Sequence, residues 1–216
     1  MSIGMKIGPG AFERTVKGGV WQESPLIGID ALLKSHHALA SPVFHLREMP
    51  FLELVSLRGE ITDPAFSDAV EALAGCGLPG RANTISRGSH YDLLWLGPDE
   101  WLARSRTLIS ATSAAPLETG LRERFQGLNA SATDIGSGHT VLEIQGTKVR
   151  DVLARGCPLD LHASVFTLES CAQSYYFKSP VTLSLCAEDG FELVIRRSFA
   201  DYFVKIMLDA AAPLLS

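Results

Sequence analysis

The run Asp134-Ile135-Gly136-Ser137-Gly138-His139 sets a carboxylate, a hydroxyl and an imidazole within six residues, the three groups from which a serine nucleophile is activated. A triad needs those groups adjacent in space, and the elbow that exposes such a serine reads Gly-x-Ser-x-Gly between a strand and a helix. Here only Gly-Ser-Gly occurs, ahead of a strand, so the segment reads as a polar turn entering residues 140–145. The same glycines fail as a dinucleotide loop, which would need glycine at Val141 and a helix afterwards. Cys157 follows the C-terminal end of an expected helix, where the dipole opposes thiolate formation, so it reads as a packed thiol, and His162 nearby does not change that. His36 and His37 are consecutive, their side chains diverge on any regular element, and no third ligand is nominated, so both read as surface histidines. Arg196-Arg197 precede the last expected helix, where an anion could sit on free N–H groups, although solvated charge or interface ion pairs are the commoner use. No catalytic, cofactor-binding or metal-ligating residue is therefore assigned.

Composition narrows the function class further. The 216 residues are 46% apolar and 20% charged, the balance of an ordinary globular protein. Nineteen basic residues against 24 acidic ones give a net charge of −5, which repels a phosphate backbone, so nucleic acid is a poor partner. No export-type apolar segment or membrane-length apolar run is present, and the four cysteines form no Cys-x-x-Cys pair. The expectation is a cytoplasmic protein without a membrane partner, its thiols free and buried.

The elements that must position these residues suggest two related halves. The first 24 residues hold five glycines, with Phe12, Val16, Val20 and Trp21 at no clear period, and read as a flexible or partner-docking N-terminal arm. Residues 52–58 read as a strand ended by Gly59. A helix then runs from Asp63-Pro64 to Gly75 with Phe66, Val70 and Leu73 on one face. Residues 91–96 read as a strand, after which Gly97-Pro98-Asp99-Glu100 is expected to open a short helix carrying Trp101 and Leu102. Residues 107–115 read as a loose connection, and Leu117, Leu121 and Phe125 mark another helix. Residues 127–133 are the expected hinge, dividing 25–126 from 127–216. The second half repeats the plan with a strand at 140–145 and a helix through Val149, Val152 and Leu153 to Gly156. Strands follow at 172–178, 181–187 and 191–196, and Ser198 with Asp201 reads as a capping box for a closing helix with Phe199, Phe203, Ile206 and Ala210 on its core face. Tight turns between neighbouring strands imply antiparallel sheet, hence α+β, with duplicated strand-helix-strands-helix halves. The strings Gly75-Cys76-Gly77-Leu78-Pro79 and Gly156-Cys157-Pro158-Leu159-Asp160 occupy matching places in the two halves.

Several strings in fixed order are more specific than any of these motifs. They include Asp63-Pro64-Ala65-Phe66, Trp95-Leu96-Gly97-Pro98-Asp99-Glu100-Trp101-Leu102, Val149-Arg150-Asp151-Val152-Leu153-Ala154, Gly156-Cys157-Pro158-Leu159-Asp160-Leu161-His162 and Arg197-Ser198-Phe199-Ala200-Asp201-Tyr202. Together, from about Ser24 to the C-terminus, the chain resembles the gamma subunits of heterotetrameric sarcosine oxidases. The resemblance implies a non-catalytic subunit of a flavoenzyme that demethylates sarcosine oxidatively, with alpha, beta and delta subunits as partners and the alpha subunit as the direct contact. It implies FAD, FMN, NAD, tetrahydrofolate and zinc on those other subunits and none on this chain. It also implies the folate-binding fold of aminomethyltransferase, which keeps a freestanding tetrahydrofolate-binding protein or aminomethyltransferase-like enzyme as the alternative.

Overall fold

The structure is a computed structural model that describes residues 15–17, 20–39, 41–107 and 116–215. Strands β1 (Thr15–Lys17) and β2 (Val20–Gln22) pair as a short antiparallel hairpin, and helix α1 (Asp30–Ala38) leads into strands β3 (His45–Met49) and β4 (Leu54–Arg58). Helix α2 (Pro64–Ala74) begins where the Asp63 side chain accepts the Ala65 N–H at 2.9 Å and ends where Gly75 takes φ 81°, as the capping chemistry requires. Strands β5 (Ile85–Arg87), β6 (Tyr91–Gly97) and β7 (Glu100–Ser105) then form a meander, followed by helix α3 (Leu117–Arg124). The remaining elements are β8 (Ser131–Asp134), β9 (His139–Gln145), helix α4 (Val149–Ala154), β10 (Cys171–Tyr176), β11 (Ser179–Ala187), β12 (Gly190–Arg196) and helix α5 (Ala200–Ala211).

Two five-stranded antiparallel sheets result, ordered β5-β6-β7-β4-β8 and β10-β11-β12-β9-β3. The orders match position for position, so the repeated unit is strand, strand, helix, three strands, helix. Its leading strand, however, crosses over. β3 precedes β4 in the chain but pairs with β9, and β8 precedes β9 but pairs with β4. β8 thus follows residue 126 yet completes the sheet of the first half.

Alternation along the strands explains the layering. On β12, Phe191, Leu193 and Ile195 join the core under α1, α4 and α5, while Val194 faces the other sheet. On β7, Trp101 and Ala103 pack with Phe66 and Phe125 under α2 and α3, while Leu102 faces inward. The sheets therefore stack face to face around Leu52, Leu54, Ile85, Leu94, Leu102, Val141, Cys171 and Val194, with helices outside both.

The structure corrects five expectations. Glu100 to Ser105 is a strand, since Pro98-Asp99 closes a two-residue hairpin and burial on both faces needs period two. Residues 131–134 form edge strand β8 where a hinge was expected. Residues 27–49, given no element by the sequence, contain α1 and β3. Within the expected arm, residues 15–17 and 20–22 form a hairpin and Ser24 is buried with its hydroxyl donating to Glu48 at 2.5 Å, whereas Phe12 and the side chains of Val16, Val20 and Trp21 lie outside the described residues. Neither Ser198 nor Asp201 caps α5, which is entered through the turn Arg197–Phe199, and Asp201 pairs with Lys205 at 2.9 Å instead. Of the expected connection 107–115, residues 108–115 lie outside the described residues.

Candidate functional site

The hydroxyl, carboxylate and imidazole of 134–139 are each oriented by their own turn. Asp134 Oδ1 accepts the Gly136 N–H at 2.7 Å, His139 Nδ1–H donates to the Ile135 carbonyl at 3.0 Å, and Ser137 stands exposed on the turn Gly136–Gly138. An Asx turn and a histidine tied to its preceding loop do the work of a turn entering β9, as the spacing indicated. Cys157 is buried behind α4 with Sγ 3.7 Å from Ser174 Oγ, and His162 Nδ1 is bonded to Ser164 Oγ at 2.8 Å. Burial pushes the Cys76 and Cys171 thiols up to about 11 and Cys186 up to about 12, where the nucleophilic thiolate is scarce at neutral pH. All four cysteines are free thiols. Arg197 donates to the Glu23 carbonyl at 3.3 Å, and Arg196 is exposed.

The two consecutive histidines do not behave as surface residues. His36 is only 6% exposed, and its Nε2 accepts the Leu46 N–H at 3.0 Å, which places the ring proton on Nδ1. His37 Nε2–H donates to the carbonyl of the same Leu46 at 2.8 Å. Antiparallel pairing turns the backbone of Leu46 away from β9, so the two imidazoles stand where a further strand would hydrogen bond. His45 stacks on His37 at a ring separation of 5.1 Å. Burial, with the neighbouring His45 and His37, lowers the His36 pKa to about 4, and burial lowers His45 as well. Among the described residues no group of three or more His, Cys, Asp and Glu side chains is arranged to hold a metal ion.

Between the sheets lies an ionic layer that sequence reasoning missed. Arg104 and Asp92 are each 2% exposed, with Nη2 2.7 Å from Asp92 Oδ2, and Arg104 Nη1 reaches Glu192 Oε2 of the opposite sheet at 2.5 Å. Arg87 approaches Asp92 at 3.1 Å and donates across the interface to the Leu185 carbonyl at 2.6 Å. Arg47 and Glu143 pair at 2.6 Å within the β3–β9 ladder. The available signal was positional: Asp92, Arg104 and Glu192 sit at alternate strand positions whose neighbours face the helices. This layer fixes one sheet on the other rather than presenting groups to a substrate.

Comparison with known proteins supplies what the side chains do not. A sequence model described as sarcosine oxidase, gamma subunit family matches residues 58–213. The chain belongs to that family. The sarcosine oxidase subunit gamma of Corynebacterium sp. (strain P-1) is 30% identical over 172 residues, covering 79% of this chain and 81% of the relative. Among solved structures, a chain of the heterotetrameric sarcosine oxidase from Corynebacterium sp. U-96, in complex with pyrrole 2-carboxylate, matches with a TM-score of 0.79 at 25% identity, covering 90% of this chain and 97% of that one. The glycine cleavage system aminomethyltransferase T from Bartonella henselae matches at TM-score 0.59 and 16% identity, covering 91% of this chain and 53% of that one. That second likeness shows the fold alone: this gamma subunit family member shares the duplicated α+β architecture expected from its sequence.

Proposed function

We propose that this chain is a non-catalytic subunit of a heterotetrameric sarcosine oxidase, packing chiefly on an alpha-type subunit. The observation that carries the reading is the near end-to-end correspondence with a chain of the Corynebacterium enzyme, 97% of which is covered. In the proposed assembly sarcosine is oxidised to glycine with reduction of oxygen to hydrogen peroxide, and the one-carbon unit passes to tetrahydrofolate or leaves as formaldehyde. FAD, FMN, NAD, tetrahydrofolate and zinc belong, on this reading, to the alpha, beta and delta partners. The local engagement of Asp134, His139, Cys157 and His162 supports a packing role. So does the use of the interior ionic groups to join the sheets.

Co-expression with the three partner subunits tests the proposal. The full chain should purify in stoichiometric complex with them and, alone, should show no flavin absorbance and release no peroxide from sarcosine. Stoichiometric flavin on the isolated chain would overturn the reading. Tight tetrahydrofolate binding by the isolated chain would favour a freestanding folate protein instead, for which the aminomethyltransferase-like fold is the only support.

A further inference from the structure

Helix α1 is anchored to the sheet partly through the backbone of one residue. Within the helix only Leu33 and His36 are buried, and Leu32 is exposed on its outer face. Helix α3, which precedes β8 as α1 precedes β3, buries Leu117 and Leu121 instead, so an imidazole serves α1 where a second leucine serves α3. The two rings on Leu46 differ in their tolerance for a proton. His37 Nε2–H donates to the Leu46 carbonyl whether its ring is neutral or charged, but His36 Nε2 accepts the Leu46 N–H only as a neutral ring. Protonated, it would set one N–H against another. The groups around it give the cation no relief. His37 on α1 and His45 on β3, with ring centres 6.1 and 5.8 Å away, are themselves basic. The carboxylates of the neighbouring elements are taken, Asp30 of α1 by Lys34 and Glu143 of β9 by Arg47 of β3. The helix also lies between two fixed points. Leu26 and Ile29 before it belong to the core, and after it the Pro42 and Val43 carbonyls accept the Thr147 and Lys148 N–H groups at 3.2 and 2.9 Å.

We propose that α1 is a proton-released latch on the β3 edge: protonation of His36 frees residues 30–39 as a unit while both sheets stay folded, uncovering the N–H and C=O of Leu46. The opening is local because, besides His36 itself, only Leu33 has to leave the core, and segments with few buried apolar contacts open at less than the global cost. The sign follows from the surroundings of the ring. Burial, with His45 and His37, holds His36 at about 4 in the closed form, whereas the released ring returns toward 6.5, so opening takes up a proton and is favoured as pH falls through that window. Between pH 7 and 4.5 His36 alone raises the open population about 50-fold. His45, lowered first by burial, adds in the same direction. The released edge presents the unpaired backbone groups that the latch otherwise hides. The latch belongs to this chain's own fold and is independent of the subunit reading.

Amide hydrogen exchange of the full wild-type chain, followed residue by residue by NMR from pH 7 to 4.5 and corrected for intrinsic exchange, tests the latch. The Leu46 amide and those of α1 should exchange together, faster than the Arg47 amide that faces β9, and with little dependence on urea below the unfolding transition. Their opening should increase about 50-fold over that pH range. His36→Gln, whose carbonyl accepts the same N–H without titrating, should lose most of that increase. In the wild-type chain, imidazole nitrogen shifts at pH 7 should report the Nδ1–H tautomer at His36 and the Nε2–H tautomer at His37. A Leu46 amide that exchanges only at the rate and with the urea dependence of Arg47 makes the opening global and overturns the latch. So does an unchanged acid increase in the variant. An Nε2–H tautomer at His36 overturns it with no substitution needed, which keeps the test intact if the variant does not fold.

Discussion

His36 holds its place only as a neutral ring, because an Nε2 that accepts the Leu46 N–H cannot also carry a proton. The titratable groups beside it are His37 on its own helix and His45 on β3, and Arg47 and Glu143, paired with each other, act on His45. Its folded pKa of about 4 lies below the ordinary 6.5, so the stability it contributes is complete above about pH 6.5 and is lost as pH falls toward 4. His45 acts with the same sign. Glu48, raised by burial, acts with the opposite sign, its share being lost as pH rises above its ordinary 4.5. Urea unfolding between pH 7 and 4.5 should therefore show a loss larger by about 2 kcal/mol than in His36→Gln, whose carbonyl keeps the acceptor without titrating. An unchanged acid slope in that variant would refute the assignment. Arg104→Met should cost ~3 kcal/mol in the same assay, because Glu192 would lose its partner across the sheets and Asp92 its buried one, keeping only Arg87 and Arg106 at the margin. Neither role was legible in the sequence. Side-chain divergence of consecutive residues made both read as surface histidines, whereas they converge on the two backbone groups of Leu46, ten positions from His36 and nine from His37, which no local pattern shows.

Elements were legible where local chemistry and burial agree. Asp63, Pro64 and Gly75 set the limits of α2 because cap, first-turn proline and left-handed exit are properties of the chain itself. Strand β7 was misread because Asp99 and Glu100 suit a helix start as well as a hairpin, and only the sheet beside it decides for period two. The expected hinge became β8 for a related reason: a four-residue strand with alternate exposed positions carries little hydrophobic signal. One glycine shows how tightly two elements meet. Gly146, at the end of β9, has φ 131°, and a Cβ there would overlap the Val43 carbonyl on the approach to β3. Gly146→Ala should destabilise by ~3 kcal/mol or more, combining backbone strain with displacement of the β3 segment. Gly127→Ala, at φ 84° with nothing within 4 Å, should cost only about 1 kcal/mol. Equal losses in denaturant midpoints for the two variants would contradict this account of the β3–β9 junction.

At the scale of the molecule, the duplication was readable from the repeated order of strand, helix and Gly-Cys string, yet the crossing of β3 and β8 between sheets was not, since strand partners are chosen by tertiary packing. The exchange, together with Arg104 bridging to Glu192, makes the halves interdependent. Thermal unfolding should be a single cooperative transition, and residues 25–126 or 127–216 expressed separately should not fold; two resolved transitions would contradict the interlocked design. The family match over residues 58–213 and the correspondence with the Corynebacterium chain lead beyond fold to assembly, and the proposed function puts the chemistry on the partners. The most direct test is sarcosine-dependent peroxide release measured on the four co-expressed subunits, on the three partners without this chain, and on this chain alone. The account predicts flavin and activity in the four-subunit preparation, impaired assembly without this chain, and a colourless, inactive isolated chain. Peroxide release from sarcosine by the isolated chain would contradict it.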